Sequence, residues 1–238
     1  MHRIPQLMGY ILILSLTVCV ITFTNRTVTV LSEESLPQRE YTIVIDPGHG
    51  GEDGGAVSLS GKPESGYNLQ ISLRLRDLLA LMGYDIIMTR EADISIYTKG
   101  ETLAQKKASD LKERLRIVND TDNAILLSIH QNYFSDSRYS GAQIFYADTP
   151  CSQQLASRMQ AMFISTVNPG SNRQEKRASG IYLMEHIQTT GVLIECGFLS
   201  SPQEEAMLAD PAYQKKICCI IATSVDTFLR ENQESADT

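Results

Sequence analysis

Tryptophan is absent from the chain, histidine occurs only four times, and basic residues are outnumbered by acidic ones, 21 to 28. Lack of tryptophan disfavours a binding module that stacks sugars on indole rings. The net charge of −7 and a pI near 5.1 disfavour non-specific binding to nucleic acid or to anionic lipid, both of which require a basic face. That balance is compatible with a substrate carrying amines or neutral sugars. No Gly-x-Ser-x-Gly elbow is present, which argues against a serine hydrolase of that type. The glycines at 55 and 61 with Lys62 resemble a phosphate loop only faintly. Their spacing is one residue too long, and Pro63 stands where a metal-binding hydroxyl belongs. The five cysteines include no Cys-x-x-Cys. Cys218 and Cys219 lie in an apolar helical run and read as buried small hydrophobes. A bridge from Cys151 to one of them stays open. Internal repeats and low-complexity stretches are also missing.

A length of 238 residues suits one domain with extensions. With 42% apolar and 21% charged residues the composition is that of a globular fold, able to bury a sizeable core. The first 26 residues are a separate object. Positions 4–25 carry no charged side chain, and Arg3 and Arg26 bracket them. The run just reaches the length of about 20 residues that a membrane helix needs, and no Ala-x-Ala cleavage site follows it. It is read as a signal anchor, or else a signal peptide, which places the rest of the chain outside the cytoplasm. Residues 27–40 read as a polar linker, 41–231 as the catalytic domain and 232–238 as a polar tail.

Within 41–231, short apolar runs alternate with amphipathic helical ones. Strands are expected at 41–45, 84–89, 124–129, 143–147, 181–184 and 191–195. Helices are expected at 68–82, with Gly83 as its stop, and at 110–119, 152–165 and 213–229. The alternation predicts a single α/β domain, a mostly parallel twisted sheet with helices on both faces. Sites in such folds gather at the carboxyl ends of the strands. Three runs end there in polar residues: Asp46-Pro47-Gly48-His49-Gly50-Gly51, Ser128-Ile129-His130-Gln131-Asn132, and Glu195-Cys196-Gly197-Phe198. Two histidines and a carboxylate make a common catalytic zinc set with a fourth position open to water. His49 and His130 supply the nitrogens. Glu64 is the favoured oxygen, with Asp46, Glu52 and Asp53 as nearby rivals. Glu195, in apolar company, is expected to have a raised pKa and to act as the catalytic acid/base. Asn132 and the backbone at Gly50 and Gly51 are further candidates for orienting substrate. His186 reads as solvated or structural.

Taken in order, these motifs resemble the type-3 family of N-acetylmuramoyl-L-alanine amidases, bacterial cell-wall hydrolases. The resemblance spans about 41–229 and rests on Ile45-Asp46-Pro47-Gly48-His49-Gly50-Gly51, Glu64, Asn68-Leu69, Met88-Thr89-Arg90, Glu113-Arg114, Asn119, Ser128 to Asn132, Gly141 and Glu195 to Ser200. It implies one zinc ion on His49, Glu64 and His130, with Glu195 catalytic, on a fold like that of zinc exopeptidases. It implies hydrolysis of the amide joining the lactyl group of N-acetylmuramic acid to L-alanine of the stem peptide. Small size and the N-terminal segment look most like the sporulation and germination subgroup, which strips stem peptides from cortex peptidoglycan so that muramic-δ-lactam can form. The partners implied are peptidoglycan, the membrane through the N-terminal segment, and an accessory activator protein, with no nucleic acid. The location implied is the outer face of the cytoplasmic membrane or the wall and cortex space. Three positions depart from the family. Ser65-Gly66 follows Glu64 where Lys is frequent, Thr190-Gly191 stands where Pro is usual, and Ser201 replaces Asn. The first pair is expected to loosen the turn that presents Glu64 and to leave the enzyme dependent on a partner. The rival readings are a zinc carboxypeptidase-like peptidase and a membrane-tethered, non-catalytic wall-binding protein.

Overall fold

The computed structural model describes residues 41–136 and 138–236. The expected anchor and linker, 1–40, lie outside the described residues. Among those described, no helix is long and apolar enough to cross a membrane.

Six strands form one sheet: β1 (Thr42–Pro47), β2 (Asp85–Met88), β3 (Ala124–Asn132), β4 (Gln143–Tyr146), β5 (Lys176–Arg177) and β6 (Thr190–Phe198), in the order β2-β1-β3-β6-β4-β5. β2, β1, β3 and β6 are mutually parallel, while β4 runs antiparallel to β6 and parallel to β5. The helices are α1 (Glu64–Leu81), α2 (Leu103–Asn119), α3 (Ser152–Thr166), α4 (Tyr182–His186), α5 (Pro202–Ala209) and α6 (Pro211–Ala236). The single α/β domain and its mostly parallel sheet agree with expectation.

Alternation along the central strands sorts side chains to two faces. Ile43, Ile45, Ile125, Leu127, Ile129 and Ile194 enter the larger core, against Ile71, Leu75 and Leu79 of α1, Phe163 of α3 and Ile221 of α6. Each such fully buried side chain contributes about 1.5–3 kcal/mol. Val44, Leu126 and Leu193 face the smaller core, which Val118 of α2 and Leu183 and Met184 of α4 complete. Continuing that second set toward the carboxyl ends by steps of two reaches Asp46, Ser128, His130 and Glu195. The smaller core's face therefore becomes polar where the parallel strands end.

Several boundaries differ from those read in the sequence. Residues 181–184 are not a strand. Gly180, at φ 74°, turns the chain into α4, which spans Tyr182–His186. An apolar run of four residues is too short for periodicity to separate helix from strand. α2 starts at Leu103 behind a capping box formed by Thr102 and Gln105. α5 was not anticipated, although Ser201 caps it and Pro202 occupies its first turn. α6 runs to Ala236, into the stretch read as a polar tail. Gly83, at φ 83°, ends α1 as expected, with the Tyr84 amide donating to the Leu79 carbonyl at 3.1 Å. Cys151, Cys196, Cys218 and Cys219 are all free thiols, so the bridge left open from Cys151 is not made. Cys196 and Cys218 are buried, whereas Cys151 and Cys219 are exposed.

Candidate active site

Beyond β1 the chain turns through Gly48 and His49. His49 has a φ of 60°, a left-handed conformation that costs a side-chain-bearing residue free energy unless its surroundings enforce it. Two buried guanidiniums do so. Arg114, from α2, donates to Asp46 Oδ1 at 2.6 Å, to the Pro47 carbonyl at 2.8 Å and to the His49 carbonyl at 2.7 Å. Arg90, just after β2, donates to the Pro47 and Gly48 carbonyls, each at 2.9 Å, and to the Ser65 carbonyl at 3.0 Å. Three successive carbonyls of the turn are thus fixed. Asp46 also accepts from Thr89 Oγ1 and Ser128 Oγ, each at 2.7 Å. Burial pushes the Asp46 carboxyl up, but the Arg114 charge and the two hydroxyl bonds outweigh it and hold the group below the usual carboxylate range. Burial and the nearby Arg114 charge bring Arg90 down to about 10, which still leaves it cationic at neutral pH.

The turn delivers His49 to its partners. Its Nδ1 lies 3.0 Å from Asp53 Oδ2, and its Nε2 lies 3.3 Å from Glu64 Oε2. Asp53 is also paired with Lys107 at 3.1 Å. Glu64 opens α1 and is buried. Its Oε1 accepts from Asn68 Nδ2 at 3.0 Å and from the Gln131 amide at 3.1 Å, and lies 3.0 Å from His130 Nδ1. Its Oε2 accepts from the Ala56 amide at 3.0 Å. The two imidazoles meet edge to face, with centroids 5.0 Å apart. A Cβ at position 48 would fall 2.2 Å from His130 Cε1 and Nε2, so a larger residue there would displace the imidazole.

His49, Glu64 and His130 each offer one ligand atom, and these atoms all lie within 4.8 Å of one another. Burial pushes the His49 imidazole down, but its bonds to Asp53 and Glu64 outweigh that and raise it to about 9. The carboxylates therefore favour positive charge at this point, and a proton or a divalent cation answers that preference. Two nitrogens and one carboxylate fit zinc, and Asp53 on the far nitrogen of His49 supplies the orienting carboxylate typical of such sites.

Glu195 lies across from His130 in the sheet register. Burial raises its carboxyl to about 7, with the Glu64 charge adding and the two histidines opposing. Its Oε2 is buried and receives no hydrogen bond from the described residues. His49, Asp53, Lys107, His130, Tyr182 and Glu195 line a common cleft of about 340 Å³.

The structure thus brings His49, Glu64, His130 and Glu195 together. It also separates Glu64 from its rivals: Asp46 is committed to Arg114, Asp53 faces the other nitrogen of His49, and the exposed Glu52 pairs with Lys106 at 2.8 Å. His130 and Glu195 sit within their strands rather than beyond them, since β3 continues to Asn132 and β6 to Phe198. Asn132 is half-buried at the end of β3. The Gly50 amide donates to the Asp53 carbonyl at 2.7 Å, and the Gly51 amide to Asp93 Oδ1 at 3.1 Å, so both donors are engaged by the protein itself. His186 is exposed and stacks on Tyr182 at 4.3 Å. Sequence reasoning left Arg90 and Arg114 without a physical role and took Asp53 only for a rival ligand. For the two arginines the one available signal was their place in ordered motifs, since bonds to backbone carbonyls leave no spacing rule.

A profile of the N-acetylmuramoyl-L-alanine amidases matches residues 43–227. The germination-specific N-acetylmuramoyl-L-alanine amidase of Bacillus subtilis (strain 168) is 36% identical over 199 residues, covering 83% of each chain. Among solved structures, the CwlD amidase from Clostridioides difficile, in complex with the GerS lipoprotein, is 38% identical with a TM-score of 0.77, over 80% of this chain and 98% of that one. An N-acetylmuramoyl-L-alanine amidase from Clostridium difficile 630 is 28% identical with a TM-score of 0.70, over 80% and 97%. The matched span contains every residue of the cleft, and the chain belongs to the N-acetylmuramoyl-L-alanine amidase family, as an enzyme acting on peptidoglycan.

Proposed function

We propose that the chain is a zinc-dependent amidase in which His49, Glu64 and His130 hold the ion and Glu195 moves the proton. The observation that carries this reading is the meeting of three ligand atoms within 4.8 Å beside a buried carboxylate oxygen that has no partner. Zinc, when bound, supplies Lewis acidity toward the amide carbonyl and a lowered pKa for water. Glu195 accepts a proton from the attacking water and returns it to the departing L-alanine amine. A carboxyl near 7 is suited to both transfers at neutral pH. Asp53 holds the His49 ring, and Arg90 and Arg114 hold the turn beneath it. Asn132, at the end of β3, orients substrate, while Gly50 and Gly51 act through the shape of the turn.

The biological setting follows the relatives. Likeness to a germination-specific amidase supports cortex peptidoglycan as substrate, with stem-peptide removal preceding muramic-δ-lactam formation. A solved relative in complex with a lipoprotein supports an accessory protein partner. An N-terminal anchor would keep the domain outside the cytoplasmic membrane. Digestion of cortex and vegetative peptidoglycan by the purified protein, with zinc and after chelation, tests the reading. Release of intact peptides beginning in L-alanine, lost on chelation and restored by zinc, is expected. Release of single terminal amino acids would replace the amidase with a carboxypeptidase. Undiminished release after complete removal of metal would overturn the zinc assignment.

A further inference from the structure

Asparagine is a poor residue for a helix interior, and burying its amide costs free energy unless both ends of it find partners. Asn68, one turn into α1, is fully buried. Both protons and the oxygen of its side chain are committed. Nδ2 donates to Glu64 Oε1 at 3.0 Å and to the Gly48 carbonyl at 3.1 Å. Oδ1 accepts from Gln131 Nε2 at 3.2 Å. Turning the amide over would set Oδ1 against two acceptor oxygens, so these partners permit one orientation.

The three partners belong to the three segments that present His49, Glu64 and His130. Gly48 precedes His49 in the turn after β1, Glu64 opens α1, and Gln131 follows His130 on β3. Arg90 spans only two of these segments, through the Gly48 and Ser65 carbonyls. Gln131 has a second hold, because its backbone amide donates to the same Glu64 oxygen at 3.1 Å. Glu64 Oε1 is therefore gripped from α1 and from β3 at once. Neighbours on the same helix face do not share this task. Ser65 and Ser72, three before and four after Asn68, are buried with hydroxyls that have no partner.

We propose that Asn68 is a positioning residue that ties the three ligand-bearing segments into one unit, and that zinc affinity is set through it. The inference rests on the zinc reading above. Ligands from three separate segments have to meet at one point whenever a metal binds. Holding them there beforehand removes that ordering cost from the binding step. Asn68 does so without itself supplying a ligand atom.

The test uses the full-length protein, stripped of metal and titrated with zinc against a competing chelator. Asn68→Leu roughly keeps the volume and removes all three bonds. Gln131→Leu cuts only the arm to β3 and leaves the backbone amide on Glu64. Ser72→Ala, on the same buried face, is the control. Asn68→Leu is expected to bind zinc about 10–100-fold more weakly, the scale for losing a group that orients a metal ligand. Gln131→Leu should lose about fivefold, the scale of one neutral hydrogen bond, and Ser72→Ala nothing. Combined with Asn68→Leu, Gln131→Leu should add nothing further, since its arm ends on Asn68. Cobalt in place of zinc gives a second readout. Its absorption spectrum per bound ion should change in Asn68→Leu and stay as wild type in Ser72→Ala. A merely structural role would lower the denaturation midpoint of the metal-free protein and leave affinity and spectrum of the folded protein unchanged. That result overturns the proposal. If Asn68→Leu does not fold, Gln131→Leu decides, and wild-type zinc affinity in that variant overturns it equally. A wild type that binds no zinc removes the zinc reading and this inference together. Tight binding by wild type and Asn68→Leu alike removes this inference alone.

Discussion

Around Asp46 and His49, two guanidiniums and two hydroxyls bind one carboxylate and three successive carbonyls. Two strands away, Glu195 has an oxygen with no partner, and its neighbour Gln143 borders an open groove. Both regions lie on the same face of one sheet, and both bury a carboxylate. In the first, the network fixes geometry, and the carboxylate is held charged. In the second, burial without a partner lifts the carboxyl toward neutral pH and leaves it able to exchange a proton. Under the proposed mechanism, the contrast separates a ligand side built for position from a Glu195 side built for transfer.

The largest expected effect comes from Glu195→Gln, which keeps shape and removes the proton acceptor. Peptide release should fall by about 10²–10⁴-fold, with zinc content unchanged by metal analysis. A variant that retains most of its turnover would erase the distinction between the two regions.

Arg114→Met attacks the other side. It leaves Asp46 buried without its counter-charge and frees the Pro47 and His49 carbonyls, at a cost of about 3–5 kcal/mol in chemical denaturation. Adding Asp46→Asn should recover part of that loss, because the uncompensated charge goes with it. If the double variant is no better than the single one, the carbonyl bonds rather than the ion pair carry the stability.

Acid titration should separate the regions by sign. Asp46 is depressed below its ordinary 3.8. Its contribution is fully present above 3.8 and lost as pH falls through the lower folded value. Glu204, under the groove, is raised above 4.5 by burial, so its contribution is present below 4.5 and lost as pH rises through the folded value. Denaturation between pH 2 and 7 should therefore show the wild-type advantage over Asp46→Asn growing as pH rises toward 3.8 and level above it. The advantage over Glu204→Gln should shrink. Parallel trends for the two variants would mean that the network does not hold Asp46 charged.

How much of this could be read from the chain depended on the range of the forces involved. β1, β3 and β6 were legible because β-branched runs bury on both faces, and His49, His130 and Glu195 were legible because they follow such runs. α4 was misread because Ile181-Tyr182-Leu183-Met184 is apolar but too short to show a period. The starts of α2 and α5 were announced by Thr102 with Gln105 and by Ser201 with Pro202, local caps that a search for apolar periodicity passes over. Arg90 and Arg114 were out of reach for a different reason. They act on carbonyls 42 and 67 positions away along the chain, which only the folded sheet brings near.

The departure at Ser65-Gly66 gives the smallest and most local test. It was expected to loosen the turn presenting Glu64, yet Glu64 is held by three donors from three places, Ala56, Asn68 and Gln131. Ser65 is buried with its hydroxyl unpartnered, and its carbonyl is held by Arg90. Gly66 lies in the first turn of α1, and a Cβ there would meet nothing within 4 Å. Gly66→Ala should therefore stabilise the protein by about 0.5–1 kcal/mol, by restricting the unfolded chain without strain in the folded one. Zinc affinity decides what that gain means. If the three donors already fix Glu64, the variant melts higher and binds zinc as wild type does. If affinity rises with stability, the turn is loose as the sequence implied, and an accessory partner would act by tightening it.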